Sequence, residues 1–274
     1  MEIIETYINS KSGKVELSED EIFISNDFVA VIDGATSKGK FSFEDKTSGK
    51  VAAEVLKSAL TNMPRDITGV KAIEFLSNYL SLFYKEQGIY DFLCENRHET
   101  PTAAIIIYSV ALKELWLVGD CQAIIDGVTY TNEKPIDLLV SEMRSMFIET
   151  ELMKGATIED LQEKDTGREF ILPLLKRQYL FQNSKSQSKY VYEAIDGFKI
   201  NEKGIKIHKL NNPKEIILSS DGYPKLFETL EKSEEYLEYV LKSDPLAYKI
   251  HKSTKGIVKG NISFDDRSYV RVRG

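Results

Sequence analysis

The chain has 274 residues, of which 42% are hydrophobic and 29% are charged, and this composition is sufficient for a sizeable folded core. Its formal net charge is -7, so it lacks the basic face that nucleic acid or an anionic membrane would need, and we expect neither partner. Two cysteines and three histidines, without Cys-x-x-Cys or His-x-x-x-His spacing, argue against a structural zinc site or a disulfide framework. The first residues do not resemble a signal peptide and no apolar run is long enough to span a membrane, so we expect a cytoplasmic protein.

Short runs rich in β-branched and aromatic residues, bounded by polar turns, predict strands along the whole chain. The predicted strands cover 2–8, 21–25, 29–32, 102–110, 114–118, 121–125, 190–195, 204–210 and 215–219, with a last strand that ends at about 272. The three strands between 102 and 125 follow one another closely, and this spacing predicts an antiparallel meander.

Apolar residues at three- and four-residue steps predict helices at 51–60 and 72–83, after a polar loop at 35–44 that we expect to be exposed. Helical character returns from 135 to about 182. Two more helices are predicted, at 223–227 and 233–242. With strands at both ends and helices between groups of strands, the sequence predicts one α+β domain over 1–274 with a helical insertion at about 135–182.

Acidic residues recur where these strands begin or end. Asp33, Asp120 and Asp221 each follow an apolar strand, and Asp265-Asp266 precede the last one. Several carboxylates without histidine or cysteine make an oxygen-only site, which suits Mg²⁺ or Mn²⁺ better than Zn²⁺. Two such ions about 4 Å apart commonly act on phosphates.

An Asp-Gly pair after a strand is also an ordinary turn. The chain has four such pairs, at Asp33, Asp126, Asp196 and Asp221. Periodicity alone does not tell which of these aspartates are ligands and which are turn residues.

Four motifs, in this order, resemble the type 2C family of metal-dependent serine/threonine protein phosphatases, of which the chain would be a divergent, bacterial-like member. The matching segments are Glu19-Asp20 before the strand that ends in Asp33-Gly34, Thr102-Ala103-Ala104 with Gly119-Asp120-Cys121-Gln122-Ala123, Ser220-Asp221-Gly222, and Asp265-Asp266. They extend over most of the chain. The resemblance implies a four-layer fold, a central antiparallel β-sandwich flanked by helix pairs, with a metal cluster at one end of the sandwich.

The resemblance also implies a role for each matching residue in the metal cluster. Asp33 would bridge two Mg²⁺ or Mn²⁺ ions, the carbonyl of Gly34 would bind one of them, and Asp221 and Asp265 would bind the other. Asp120 would help to hold a looser third ion. Asp33, Asp221 and Asp265 would thereby carry catalysis, and the nucleophile would be a metal-bridged water.

Glu19 and Asp20 would hold metal-bound waters in the same scheme. The family commonly places an arginine shortly before this pair to hold the substrate phosphate, and this chain has none there. Lys14 and Lys38 are the candidates for phosphate binding that remain, although a lysine does not make the bidentate contact of an arginine. Gln122 stands where an arginine is usual.

The sequence therefore predicts a metal-dependent phosphatase that hydrolyses phosphoserine or phosphothreonine in proteins, and we expect a monomer. Two alternatives remain open. The missing arginine favours a catalytically weak or inactive member of the fold that binds a phosphoprotein or another partner. A phosphatase for a small metabolite would be favoured if the loop at 35–44 or the insertion closed over the site.

Overall fold

The computed structural model describes residues 1–39, 41, 43 and 45–274, and within them ten strands form two five-stranded sheets. The strands are β1 (Glu2–Asn9), β2 (Asp20–Ile24), β3 (Phe28–Ala35), β4 (Thr102–Ser109), β5 (Glu114–Val118), β6 (Gln122–Ile125), β7 (Val128–Tyr130), β8 (Lys206–Lys209), β9 (Glu215–Ser219) and β10 (Arg267–Arg273). The α-helices of the same residues are α1 (Ser48–Thr61), α2 (Gly69–Glu86), α3 (Tyr90–Glu95), α4 (Pro135–Met153), α5 (Ile158–Glu163), α6 (Thr166–Leu175) and α7 (Leu230–Ser243).

The two sheets are antiparallel throughout their described pairings. The first has the strand order β1-β10-β9-β6-β7 and the second has the order β2-β3-β4-β5-β8. Both ends of the chain join the first sheet, because β1 pairs with β10. The predicted α+β class with a central antiparallel sandwich is confirmed.

The core lies between the sheets and beneath the helices. In β3, Val29 and Val31 face the first sheet, whereas Phe28, Ala30 and Ile32 face α1 and α2. All five are buried, and side chains alternate between the two faces as they do in any strand. Burial on both faces explains why β3 reads as a continuous apolar run that stops at an acid.

The outer face of the first sheet is covered mainly by α7. Leu237 of this helix packs with Ile217 of β9 and Tyr269 of β10, together with Tyr223 and Phe264 from the flanking loops. The layers are therefore helix, sheet, sheet and helix. This is the predicted four-layer order.

Helices α4, α5 and α6 occupy the segment predicted as an insertion, and Pro135 stands at the first turn of α4, where its missing N–H costs nothing. Arg144 of α4 ties this segment to the rest of the chain. Its fully buried guanidinium donates to Asp165 at 2.7 Å and to the carbonyls of Leu246 at 2.8 Å and Ser253 at 3.1 Å. That the insertion belongs to one domain with the sandwich stays a prediction.

The predicted meander between 102 and 125 is wrong. Strands β4 and β5 pair in the second sheet, but β6 pairs with β9 in the first. Gly119 lies between β5 and β6 with a φ of +84°, a left-handed conformation that redirects the chain, and Cys121 then enters the core between the sheets.

Two predicted elements are absent from the described residues. The segment 190–195 forms only isolated bridges, among them Ala103 with Ile195, and 223–227 has an irregular backbone instead of a helix. Both segments are apolar because they pack on neighbouring elements, as Tyr223 does beneath α7. Helix α3 and strand β7 were missed, since each is short and partly exposed.

The predicted loop at 35–44 begins with the last residue of β3, and its positions 40, 42 and 44 lie outside the described residues. Over the part of the chain that is described, no helix combines the length and apolar character needed to cross a bilayer.

Candidate active site

Three aspartates meet at one end of the sandwich. Asp33, Asp120 and Asp221 each contribute a carboxylate oxygen, and these three oxygens lie within 4.8 Å of one another. Asp33 is the sixth residue of β3, Asp120 comes two residues after β5, and Asp221 comes two residues after β9. All three line a cavity of about 810 Å³.

The backbone at Gly119 brings Asp120 to this position. A Cβ at Gly119 would lie 2.3 Å from the Cβ of Ala104, so the two strands approach closely only because residue 119 is glycine. Ala104 is the cross-strand partner of Asp33. The turn after β5 therefore places Asp120 beside Asp33.

The electrostatics of the cluster favour a bound cation. Burial raises the pKa of Asp33 well above its usual value, and the nearby Asp20, Asp120 and Asp265 raise it further, with Lys134 opposing. The pKa of Asp221 is raised in the same way, by burial and by the neighbouring acids. Such crowding disfavours ionisation unless positive charge is supplied among the carboxylates.

Asp265 lines the same cavity but is not one of the three clustered carboxylates. Its Oδ2 lies 2.5 Å from Nζ of Lys255. Although burial would raise the pKa of Asp265, Lys255 and Lys11 outweigh burial and lower that pKa. Asp265 is therefore held as a carboxylate by a lysine of the preceding loop.

Asp120 has a lysine partner as well. Nζ of Lys134, the residue before α4, lies 2.7 Å from Asp120 Oδ2. Burial acts to lower the pKa of Lys134, but the nearby Asp120, Asp137 and Tyr192 raise it well above the usual value. One acid of the cluster is thus paired with a lysine that directly precedes the insertion.

Glu19 and Asp20 lie next to the cluster in different environments. Glu19 lines the cavity, where Oγ1 of Thr36 donates to its carboxylate, and its backbone N–H donates to Asp266 at 2.9 Å. Asp20 is only 1% exposed, and neither of its carboxylate oxygens accepts a hydrogen bond from the described residues. Burial raises the pKa of Asp20 to about 8; the nearby hydroxyls of Ser220 and Ser268 oppose the shift.

The orphaned Asp20 carboxylate and the crowded Asp33 and Asp221 provide a chemical test for divalent metal. A hard cation with its waters would satisfy the free oxygens and remove the repulsion, and the donors are oxygens of the kind that Mg²⁺ and Mn²⁺ prefer. The residues therefore fit such ions.

The two lysines predicted to bind phosphate lie in different places. Lys38 lines the cavity, and its ammonium donates to the carbonyl of Thr36 at 3.0 Å. Lys14 is exposed and is not among the residues that line the cavity, whereas Lys11 is, with Nζ 3.4 Å from Asp266.

Several basic residues of the cavity were missed by the sequence, and Lys134, Arg168 and Lys255 are the three that matter most below. Lys134 directly precedes the insertion, Arg168 lies within it, and Lys255 comes from the loop before β10. With 36 lysines and arginines in the chain, no local signal marked these three.

The other two Asp-Gly aspartates are engaged elsewhere. Asp126 accepts the backbone N–H groups of Lys214 and Glu215 at 3.0 and 2.9 Å. Asp196 is fully buried and accepts from Arg97 at 2.6 Å and Gln182 at 2.9 Å. Neither belongs to the clustered carboxylates.

Comparison with solved structures finds similar chains over almost the whole length. The serine/threonine phosphatase PstP/Ppp of Mycobacterium tuberculosis is 15% identical, with 98% of this chain and 97% of that chain covered and a TM-score of 0.46. Stp1 of Staphylococcus aureus, also a serine/threonine phosphatase, is 15% identical, with coverage of 100% and 97% and a TM-score of 0.46. RsbX, solved in complex with magnesium, is 12% identical, with coverage of 98% and 96% and a TM-score of 0.44.

The sequence matches no protein-family profile and no curated protein. The residues of the site, and not the overall similarity, support the function proposed below.

Proposed function

We propose that this protein is a metal-dependent phosphatase that hydrolyses phosphoserine or phosphothreonine in proteins. The observation that carries the proposal is the meeting of Asp33, Asp120 and Asp221, whose oxygens lie within 4.8 Å of one another in a cavity with basic residues along its walls. An acid cluster that attracts divalent cations, beside lysine and arginine, is suited to a phosphate monoester.

Asp33, the carbonyl of Gly34, Asp221 and Asp265 would hold two Mg²⁺ or Mn²⁺ ions, and Asp120 would hold a third. Such ions, when bound, acidify water and neutralise charge on a phosphoryl group. The chain itself contributes the fixed positions of these carboxylates at strand ends.

Glu19 and Asp20 would act around these ions. Asp20 is the cross-strand partner of Asp33 in β2 and β3, so its buried carboxylate lies beside the candidate metal site. Glu19 is held by Thr36 and, through its backbone, by Asp266. These two residues would order the water that surrounds the reacting phosphate.

Lys38 would attract the phosphate from the rim of the cavity, and a phosphorylated side chain with its flanking peptide is a reasonable occupant of about 810 Å³. Lys14 would act only at a distance, as an exposed charge. The insertion contributes Asp137, Gln178 and Tyr179 to the cavity wall, so a small phosphorylated metabolite is a further substrate class for the same chemistry.

A second candidate is a catalytically weak member of the fold that binds a phosphoprotein or another partner. The observation that favours it is the pairing of Asp120 with Lys134 and of Asp265 with Lys255, at 2.7 and 2.5 Å. Each lysine competes with a metal ion for a candidate ligand. If the lysines exclude the metal ions, the site binds phosphate without hydrolysing it.

Turnover assays with chelated and metal-loaded protein separate the two candidates. The purified chain is given an aryl phosphate, a phosphothreonine peptide and a phosphorylated sugar, with Mn²⁺, with Mg²⁺ and with chelator, beside Asp221→Asn. Metal-dependent hydrolysis of the peptide that is lost in the variant supports the phosphatase. Absence of hydrolysis in a protein that binds Mn²⁺ by calorimetry would refute the phosphatase and favour the binding module.

A further inference from the structure

Arg168 lies in the first turn of α6, in the insertion, and lines the cavity that holds the aspartates. Its Nη1 donates to the backbone carbonyl of Thr254 at 2.7 Å and is 3.5 Å from the hydroxyl of the same residue. Thr254 directly precedes Lys255, which pairs with Asp265. The guanidinium is therefore attached to the loop that borders the candidate metal ligands.

The two carboxylates that act most strongly on Arg168 are already paired with other cations. Asp165 receives Nη2 of Arg144 at 2.7 Å and caps α6 by accepting the backbone N–H of Arg168. Asp265 receives Lys255 at 2.5 Å. No ion pair joins Arg168 itself to an acid among the residues that the structure describes.

A half-buried guanidinium without a carboxylate partner favours an anion. Burial lowers the pKa of Arg168, an effect that an anion in the cavity would oppose, although an arginine stays charged at any ordinary pH. Only Nη1 has a partner among the described residues, so Nη2 and Nε remain to form the two parallel hydrogen bonds that phosphate oxygens accept from a guanidinium.

Packing fixes the position of Arg168. A Cβ at the neighbouring Gly167 would lie 2.8 Å from Ile148 Cγ1 and 3.1 Å from Arg144 Cγ, so α6 lies directly against α4. Arg144 also holds the carbonyls of Leu246 and Ser253, which fixes the loop that receives Arg168. A side chain that is held through Nη1 to a fixed loop loses less freedom when it binds a ligand than a fully mobile one does.

We infer that Arg168 binds the phosphoryl group of the substrate, so that the insertion supplies the arginine that the segment before Glu19 lacks. This inference rests on the proposed function. Three lysines near the aspartates are less suited to the role, because Lys255 and Lys134 are each paired with an aspartate and Lys38 lacks the two parallel donors of a guanidinium.

The test measures phosphate binding and metal binding separately. Arg168→Met and Arg168→Lys are compared with the wild type for inhibition of aryl phosphate hydrolysis by inorganic phosphate, for KM and kcat, and for Mn²⁺ affinity by calorimetry. We expect Arg168→Met to weaken inhibition by phosphate and to raise KM by at least about tenfold, with Mn²⁺ affinity unchanged. Arg168→Lys keeps the charge without the fork, and we expect it to recover only part of the phosphate affinity.

Arg177→Met is the matched control. Arg177 follows α6 and is exposed, and its one hydrogen-bond acceptor among the described residues is the carbonyl of Pro173 at 3.3 Å. In Arg177→Met we expect inhibition by phosphate and affinity for Mn²⁺ to equal those of the wild type. Circular dichroism of all variants establishes that they are folded, and Arg168→Lys provides the comparison if Arg168→Met is not.

Failure of the inference about Arg168 and failure of the proposed phosphatase function give different results. A wild type that hydrolyses the aryl phosphate, with a folded Arg168→Met variant that phosphate inhibits equally well, would overturn this inference and leave the phosphatase standing. A wild type that binds Mn²⁺ but neither hydrolyses the ester nor binds phosphate by calorimetry would overturn both. If the wild type binds phosphate without turnover, loss of that binding in Arg168→Met still supports the role of Arg168.

Discussion

The ammonium nitrogen of Lys134 lies 2.7 Å from Oδ2 of Asp120, and this contact ties the start of α4 to the acid cluster. The side chains of Lys134 and Asp120 are only 18% and 17% exposed, so water screens the pair weakly. The ring of Tyr192 covers the ammonium at 5.3 Å. The insertion is therefore held in part by the same acid that would bind a metal ion.

Replacing Lys134 with methionine should strengthen metal binding and weaken the metal-free fold. Removal of a positive charge beside Asp120 should raise Mn²⁺ affinity several-fold, and the unpaired acid should lower the free energy of unfolding in chelator by about 1–3 kcal/mol. Calorimetric titration and denaturant unfolding measure the two effects. Lys154→Met, at the exposed end of α4, should change neither, and unaltered Mn²⁺ affinity in Lys134→Met would contradict the prediction.

Asp33→Asn should abolish metal-dependent turnover without loss of the fold. The raised pKa of Asp33 means that the folded, metal-free protein disfavours the charged form, and asparagine is neutral with nearly the same shape. We therefore expect an equal or higher free energy of unfolding in chelator, with Mn²⁺ binding weakened at least about tenfold. Asp126→Asn serves as the control, and turnover near the wild-type rate in Asp33→Asn would defeat the assignment.

Asp196→Asn should destabilise the protein while sparing its chemistry. Asp196 is fully buried and accepts hydrogen bonds from Arg97, Gln182 and the backbone of Phe198. Loss of its charge beside Arg97 should cost about 1–3 kcal/mol in denaturant unfolding. Turnover per folded molecule should stay within about twofold of the wild type. Lost turnover in a folded Asp196→Asn protein would show that Asp196 takes part in catalysis, contrary to the assignment of the site.

His251 should make the metal-free protein less stable as the pH falls. Burial lowers the pKa of His251, with Asp244 opposing, and its ring stacks on Phe264 at 5.2 Å. The folded-state pKa of His251 lies below the unfolded value of about 6.5. His251 therefore contributes fully to the free energy of unfolding above a pH of about 6.5, and this contribution is lost as the pH falls through the folded-state pKa.

Thermal unfolding in chelator between pH 5 and pH 8 measures this contribution when the wild type is compared with His251→Gln. The glutamine is neutral at every pH, so the wild type should lose stability relative to the variant towards pH 5. Parallel curves for the two proteins would show that His251 does not contribute.

Much of the fold could be predicted from the sequence, because strand and helix patterns are local. The strand before Asp33 was predicted from four apolar residues at 29–32, and in the structure this strand covers 28–35. The two helices that cover it were predicted from their apolar spacing. The strand predicted at 190–195 and the helix predicted at 223–227 are wrong for one reason. An apolar run indicates that a segment is buried, whether or not the segment forms a helix or a strand.

The sequence by itself determined that acids stand at the ends of apolar strands, because an acid after a buried run must emerge at the edge of the core. Only the tertiary structure decided which acids meet. Register places Asp33 opposite Ala104, and the turn at Gly119 then brings Asp120 beside it, while Asp126 and Asp196 find partners elsewhere.

The positive charges of the site were also decided by tertiary structure. Lys134, Arg168 and Lys255 reach the cavity from segments outside the motifs, and their positions depend on how the insertion packs against the loop before β10. A charged side chain carries no periodicity that distinguishes a solvated position from one beside a carboxylate. The long-range packing of the folded chain makes that distinction.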